Sequence, residues 1–230
     1  MNTIDLNLKK LQEQVTKAEL SFGRKPGSVR ILAVSKGQAL EKILQAVASG
    51  QRAFGENYLQ EALSKIEALT QANLAWHYIG AIQANKTRAI AENFAWVHSV
   101  DRLSIAQRLN DQRPATLPPL NVCIQVNIDD ETSKAGTRLQ TLPELAQALA
   151  QLPHLKLRGL MTIPQARQDF TAQRKPFRQL RLALENLQQQ GFTVDTLSMG
   201  MSQDFTAAIA EGATIIRIGT AIFGERRKSL

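Results

Sequence analysis

VRILAVSK, residues 29–36, is an apolar run that ends on a charged side chain. Val29, Ile31, Leu32, Ala33 and Val34 leave little room for a polar position at every second residue. Such a run is expected of a parallel strand covered on both faces. Seven further β-rich runs follow it: RAFGEN (52–57), WHYIG (76–80), WVHSVD (96–101), NVCIQVNI (121–128), LKLRGLMTI (155–163), TLSMG (196–200) and TIIRIGTAIFG (214–224). Between the runs, apolar residues recur three and four apart, as in Leu40, Ile43, Leu44 and Val47, and again in Phe177, Leu180, Leu184 and Leu187. That period is helical. A further helix, Ile4 to Leu20, precedes the first strand.

Strands alternating with helices predict an α/β fold with a parallel sheet, and eight is the number that closes a barrel. The expected architecture is a single-domain (β/α)8 TIM barrel over residues 1–230 with an extra N-terminal helix. An open doubly wound sheet is the alternative, but no G-x-G-x-x-G follows the first strand and no Walker A sequence occurs. No solenoid period is present. QRPATLPPL (112–120) reads as a loop, and the ERRKSL after Gly224 leaves no room for a second domain.

Composition sets broad limits. Hydrophobic residues are 43% of the 230, enough for a sizeable core. A formal charge of +8, from 28 Lys and Arg against 20 Asp and Glu, permits an anionic partner without selecting one. Cys123 is the single cysteine, so an intramolecular disulfide and a cysteine-built zinc site are excluded. The start, MNTIDLNLKKLQEQ, lacks the apolar core of a signal peptide, and no run is long enough to span a bilayer. A soluble cytoplasmic protein is therefore expected, with its thiol reduced.

In a (β/α) barrel the functional side chains stand at the C-terminal ends of the strands. Lys36 holds that place on the first strand, where lost hydration frees an amine to attack an aldehyde. The alternative is a solvated strand-end lysine. Phosphate sites commonly form in the loops after strands seven and eight. Strand seven ends in SMGMS, where Gly200 admits close backbone approach, Ser202 is a natural N-cap, and Asp204 falls just inside the helix. Strand eight ends in RIGT, where Gly219 and Thr220 offer two N–H groups and a hydroxyl. Each loop alone could be an ordinary turn. Arg217 shares a strand face with Gly219 and, beside a pyridine nitrogen, would donate a hydrogen bond and keep that nitrogen unprotonated. Its alternative is a salt bridge at the barrel rim. His77 and His98 lie inside strands three and four, as core or rim residues, and lack the partners of a metal site. His154, before strand six, reads as structural. No G-x-S-x-G nucleophile elbow occurs.

The segments LAVSK, FGENYLQEA, WHYIGAIQANK, VHSVDR, VNIDDETSKAG, LRGLMTIP, LSMGMSQDFTAAIAEGAT and RIGTAIFG span residues 32 to 224 in order. On them the chain resembles the pyridoxal phosphate homeostasis protein family, related to the N-terminal barrel of alanine racemase. The resemblance implies pyridoxal 5′-phosphate (PLP) as cofactor, held as a covalent aldimine (Schiff base) on Lys36. It implies Arg217 against the pyridine nitrogen, and Ser202, Gly219 and Thr220 around the phosphate, with Met201 contributing backbone. Asn57 would lie near the ring, and the stretch from His77 through Ile79 to Gly80 would line the same side. Ala81 and Ile82 depart from the family pattern, in which a Pro or His and a Leu are expected, so the loop shape at the mouth is open to change.

The resemblance also implies a non-catalytic role in intracellular PLP homeostasis. Racemisation needs an acid/base group on each face of the substrate carbon. Alanine racemase takes the second, a tyrosine, from a C-terminal domain, and neither Tyr58 nor Tyr78 is placed to replace it. A low-efficiency amino-acid racemase is the alternative. A nucleic-acid or membrane-surface binder is a third reading, but the basic residues are spread along the chain and only 5% of residues are aromatic. Expected partners are PLP and PLP-dependent apo-enzymes, with no metal, membrane or nucleic acid, and the chain is expected to be a monomer.

Overall fold

The structure is a computed structural model that describes residues 3–131 and 135–225. Helix α1 (Thr3–Ser21) leads into β1 (Arg30–Val34), α2 (Leu40–Ala48), β2 (Ala53–Glu56), α3 (Leu59–Ala68) and β3 (Ala75–Tyr78). There follow α4 (Thr87–Asn93), β4 (Trp96–Val100), α5 (Leu103–Gln112), β5 (Leu120–Gln125), α6 (Leu142–Ala150) and β6 (Leu155–Met161). The chain continues through α7 (Phe170–Gln189), β7 (Thr196–Ser198), α8 (Phe205–Ala210), β8 (Ile215–Ile218) and α9 (Thr220–Phe223). The eight strands are parallel, pair in sequence order, and close when β8 pairs with β1. An α/β TIM barrel with a preceding helix is thus the fold, as the sequence predicts.

Alternation along each strand sorts side chains into two layers. Ile31, Ala33, Phe54, Tyr78, Val97, Ile216 and Ile218 face outward and join the helices in the main hydrophobic layer. Leu32, Ile79, Trp96, Cys123, Met161 and Ile215 form a second, smaller cluster inside the barrel. That interior also takes polar side chains: His77, His98, Ser198 and Arg217 are all buried.

Helix α1 covers the seam where the barrel closes. Its buried stripe of Ile4, Leu8, Leu11, Val15 and Ala18 follows helical spacing and meets α2, α8 and α9. In its last turn, the buried Glu19 carboxylate accepts from Val29 N at 2.7 Å, Gly27 N at 3.0 Å and Ser28 Oγ at 3.1 Å. Arg24 donates to Ile209 O and Ala213 O. These bonds hold the connection that delivers the chain into β1.

Three details differ from the sequence reading. Strand β1 ends at Val34, and Lys36 stands in the turn after it, where Gln38 N donates to Ser35 O. The run TIIRIGTAIFG is a strand only over Ile215–Ile218; Thr220–Phe223 is a helical turn in which Ile222 N and Phe223 N donate to Gly219 O. Burial of Ile222 and Phe223, with Asn7 Nδ2 on Ile222 O, outweighs their preference for strand. The other strands stop one to three residues before the apolar runs do, because their last residues bend into the loops.

Removing the Glu19 carboxylate leaves Val29 N and Gly27 N without their acceptor. Glu19→Ala is expected to lower stability by about 3 kcal/mol, read as a shift in the urea midpoint with unchanged slope.

Candidate active site at the mouth of the barrel

A cavity of about 590 Å³ opens at the C-terminal ends of the strands. Its floor is Val34, Ile79 and Arg217; one side is Lys36, Gln38 and Asn57. Opposite lie Ile163, Pro164, Ala166 and Arg167 of the β6–α7 loop, with Gln173 of α7. The loops after β7 and β8 complete it with Met201 to Asp204 and with Gly219, Thr220, Ala221 and Gly224.

The turn carrying Lys36 is held from behind by α3. Lys65 Nζ donates to Ser35 O at 2.7 Å, and Glu61 Oε1 accepts from Gly37 N at 2.6 Å, so both neighbours of Lys36 are fixed. Lys65 also bridges Glu56 Oε1 (2.7 Å) and Glu61 Oε1 (2.5 Å), and Ser35 Oγ donates to Glu56 Oε1 at 2.6 Å. Burial pushes the Glu56 carboxyl above its usual range, against the pull of Lys65 and Ser35.

Gly200 lets β7 turn sharply into the next loop. Its φ is +93°, and a Cβ there would stand 2.6 Å from Ala208 Cβ and 3.1 Å from Phe205 Cα. The turn of residues 201–204 follows, with Asp204 N and Phe205 N both donating to Met201 O. Helix α8 therefore starts later than the sequence suggests, and Asp204, not Ser202, is its N-cap residue. The Asp204 side chain reaches back to accept from Met201 N at 2.6 Å. Ser202 sits in mid-turn and lines the cavity.

Arg217 is almost fully buried. Nη1 donates to Ser198 O (2.5 Å) and Ser198 Oγ (2.9 Å), and Nη2 to Thr162 O (2.8 Å). Burial draws its pKa down to about 10, which leaves it cationic at neutral pH. Beneath it runs a polar column. Ser198 Oγ meets His98 Nδ1 at 2.7 Å, and His98 Nε2 meets His77 Nδ1 at 2.9 Å. Trp96 stacks on His77 with ring centroids 5.4 Å apart, and the Arg158 guanidinium covers Trp96 at 4.8 Å. Ser198 Oγ already accepts from Arg217, so its own proton is free to go to His98 Nδ1. His98 then carries its hydrogen on Nε2 and donates to His77.

Of the residues singled out from sequence, Lys36, Asn57, Ile79, Met201, Ser202, Arg217, Gly219 and Thr220 line this one cavity. His77 does not. It lies below the floor, two bonds of the column away from Ser198. The β6–α7 loop went unnoticed in the sequence, although Pro164 directly after an apolar strand marks a strand-end loop. Its Arg167 is bound to Asp129 at 2.5 Å, and Gln165 N donates to the same carboxylate at 2.6 Å. Among the described residues no group of three or more His, Cys, Asp and Glu could hold a metal ion.

A parallel barrel with a lysine at its first strand, a buried arginine on its eighth and small-residue loops after its seventh and eighth defines a class. The chain belongs to the family described as alanine racemase, N-terminal domain, which matches residues 6–227, and within it to the pyridoxal phosphate homeostasis proteins. A protein of that name from Pseudomonas aeruginosa is 55% identical over 226 residues, covering 98% of this chain and 97% of its own. The one from Escherichia coli is 51% identical over 229 residues and covers 98% of each chain. Among solved structures, PipY of Synechococcus elongatus with PLP bound aligns at a TM-score of 0.85 with 37% identity, covering 96% of this chain and all of that one. Alanine racemase from Corynebacterium glutamicum shares the fold at a TM-score of 0.67 and 18% identity, over 96% of this chain and 62% of the racemase.

Burial drives the His77 pKa down to about 3, with help from Arg30, and drives His98 well below its ordinary value, with help from His77 and Arg217. Both rings are neutral in the fold, whereas the unfolded chain protonates them below about pH 6.5. Their contribution to stability is therefore complete above pH 6.5 and lost as the pH falls towards 3. Each histidine should contribute a slope of about 1.4 kcal/mol per pH unit between pH 6 and 5. His77→Gln, which keeps an acceptor for His98, should remove one such share, measured by urea unfolding across that range.

Proposed function

We propose that this chain binds PLP covalently through Lys36 and serves intracellular PLP homeostasis as a holder of the cofactor, without efficient turnover. The observation that carries the reading is that Lys36, Arg217 and the loops after β7 and β8 face one cavity across the β8–β1 seam. The residues fit the group. Asn57 Oδ1 is buried without a hydrogen-bond partner beside the space the ring would take, and a charged donor stands at the floor. PLP is also bound in the Synechococcus elongatus PipY structure, which is 37% identical to this chain.

When bound, PLP supplies an aldehyde and an electron-withdrawing pyridine ring. Lys36 is the residue that would hold the aldehyde end, through its Nζ, from a turn that Lys65 and Glu61 keep in place. Ser202, Gly219 and Thr220, which line the cavity, would hold the phosphate through two hydroxyls and an amide. Arg217 would stand as donor to the ring nitrogen and, remaining cationic, could not accept or pass on a proton there. A ring left unprotonated is a weak electron sink, which disfavours carbanion chemistry.

Turnover by proton transfer at a substrate carbon needs groups on both faces. Tyr78 is buried and donates to Ala81 O at 3.2 Å, Tyr58 is an exposed residue ahead of α3, and neither lines the cavity. Among the described residues that line the cavity, Lys36 is the one that carries an amine. The recipients in this reading are PLP-dependent apo-enzymes in the cytoplasm, served by a monomer; no described helix is long and apolar enough to cross a membrane.

The purified chain mixed with PLP should show a visible absorbance band, and borohydride should fix the label to the single peptide that contains Lys36. Lys36→Ala should show neither. L-alanine incubated with the loaded protein should keep its optical activity over hours. A label on another lysine contradicts the role of Lys36, and rapid Lys36-dependent racemisation contradicts the holding role.

A further inference from the structure

We propose that Asp204 sets how tightly the phosphate is held, acting as a built-in anion that competes with it and keeps binding reversible. The inference rests on the PLP reading above and concerns the release of the group. Asp204 stands in the cavity wall two residues from Ser202, half-buried. Its Oδ1 takes the Met201 amide at 2.6 Å, so one N–H of the loop is already satisfied by a carboxylate before any ligand arrives. The resemblance implies that Met201 contributes backbone to the phosphate, and its amide is the one that Asp204 engages in this fold.

The charges around the cavity give Asp204 its sign. Arg167 is bound to Asp129, and Arg217 is the cation that draws on Asp204 electrostatically. Burial raises the Asp204 carboxyl, while the Met201 amide and Arg217 pull the other way. A phosphate on the same loop adds negative charge and acts in the same direction as burial. A carboxylate so placed weakens phosphate binding by repulsion and by holding a donor that the phosphate would use. An enzyme that retains its cofactor gains nothing from such a residue. A protein that must give the cofactor up gains a faster release, since affinity differences between close variants fall mainly on the off-rate.

Asp204→Asn removes the charge and keeps an oxygen to accept from Met201 N. The test follows the visible band of the full chain, wild type and variant, during titration with PLP and during dilution, in parallel with pyridoxal, which lacks the phosphate. Asp204→Asn should bind PLP roughly tenfold tighter and release it more slowly, with pyridoxal affinity unchanged. Asp204→Ser, which also keeps an acceptor for the amide, should change in the same direction. Unchanged or weaker PLP binding in both variants, or an equal change for pyridoxal, overturns the role of Asp204 and leaves the PLP reading standing. Absence of any band in the wild type overturns the PLP reading itself.

Discussion

Closure of the barrel by the β1–β8 pairing is the constraint on which the rest depends. Arg30 to Ala33 lie in register with Ile215 to Ile218, which sets Leu32 opposite Arg217 and Ala33 opposite Ile218. The residues that follow each strand are then neighbours although more than 180 positions apart in sequence. Lys36 leaves β1 just where Gly219 and Thr220 leave β8. Contact across the seam is close: a Cβ on Gly219 would stand 3.2 Å from Val34 O. Helix α1 packs over this junction through α2, α8 and α9, so the one helix that precedes the barrel protects the place where it closes.

The same closure makes the barrel interior a restricted space with an uneven filling. Leu32, Trp96, Cys123, Met161 and Ile215 give it an apolar lining, and burial holds the Cys123 thiol protonated, its pKa raised to about 12. Into that lining rises the buried Arg217 cation, whose desolvation is offset by bonds to Ser198 and Thr162. Neutral histidines suit the column below it, since a second positive charge there would raise the cost of burying the first. The column thus fixes Arg217 in one orientation without competing with it for an anion.

Much of this was legible in the sequence. Eight apolar runs separated by helical spacing carry the barrel, and Lys36, Gly219 and Thr220 were found because strand ends are where such barrels place function. What escaped has physical reasons. Thr220 to Phe223 look like strand because their apolar side chains serve burial under α1 rather than sheet pairing. Ser202 looks like an N-cap because its composition is right, but the turn closed on Met201 O postpones the helix. The family resemblance puts His77 beside the ring, whereas its position within β3 turns it into the column, as the core reading of that histidine expects. The bracing of Lys36 by Glu56, Glu61 and Lys65 joins three elements, and only the Glu61–Lys65 spacing of four hints at it.

A carrier of a reactive aldehyde has to hold it firmly enough to sequester it and loosely enough to pass it on. In the proposed reading a covalent bond at Lys36 would serve the first need, and the Asp204 carboxylate in the cavity wall would serve the second. Neither need calls for a second proton-transfer group, and the cavity walls hold no tyrosine, histidine or cysteine among the described residues. The most direct measurement is a crystal structure of the chain grown with PLP. Continuous density from Lys36 Nζ to the aldehyde carbon is expected, with the phosphate against Ser202, Gly219 and Thr220 and the ring nitrogen on Arg217. Cofactor density bound elsewhere, or joined to a different lysine, would contradict it.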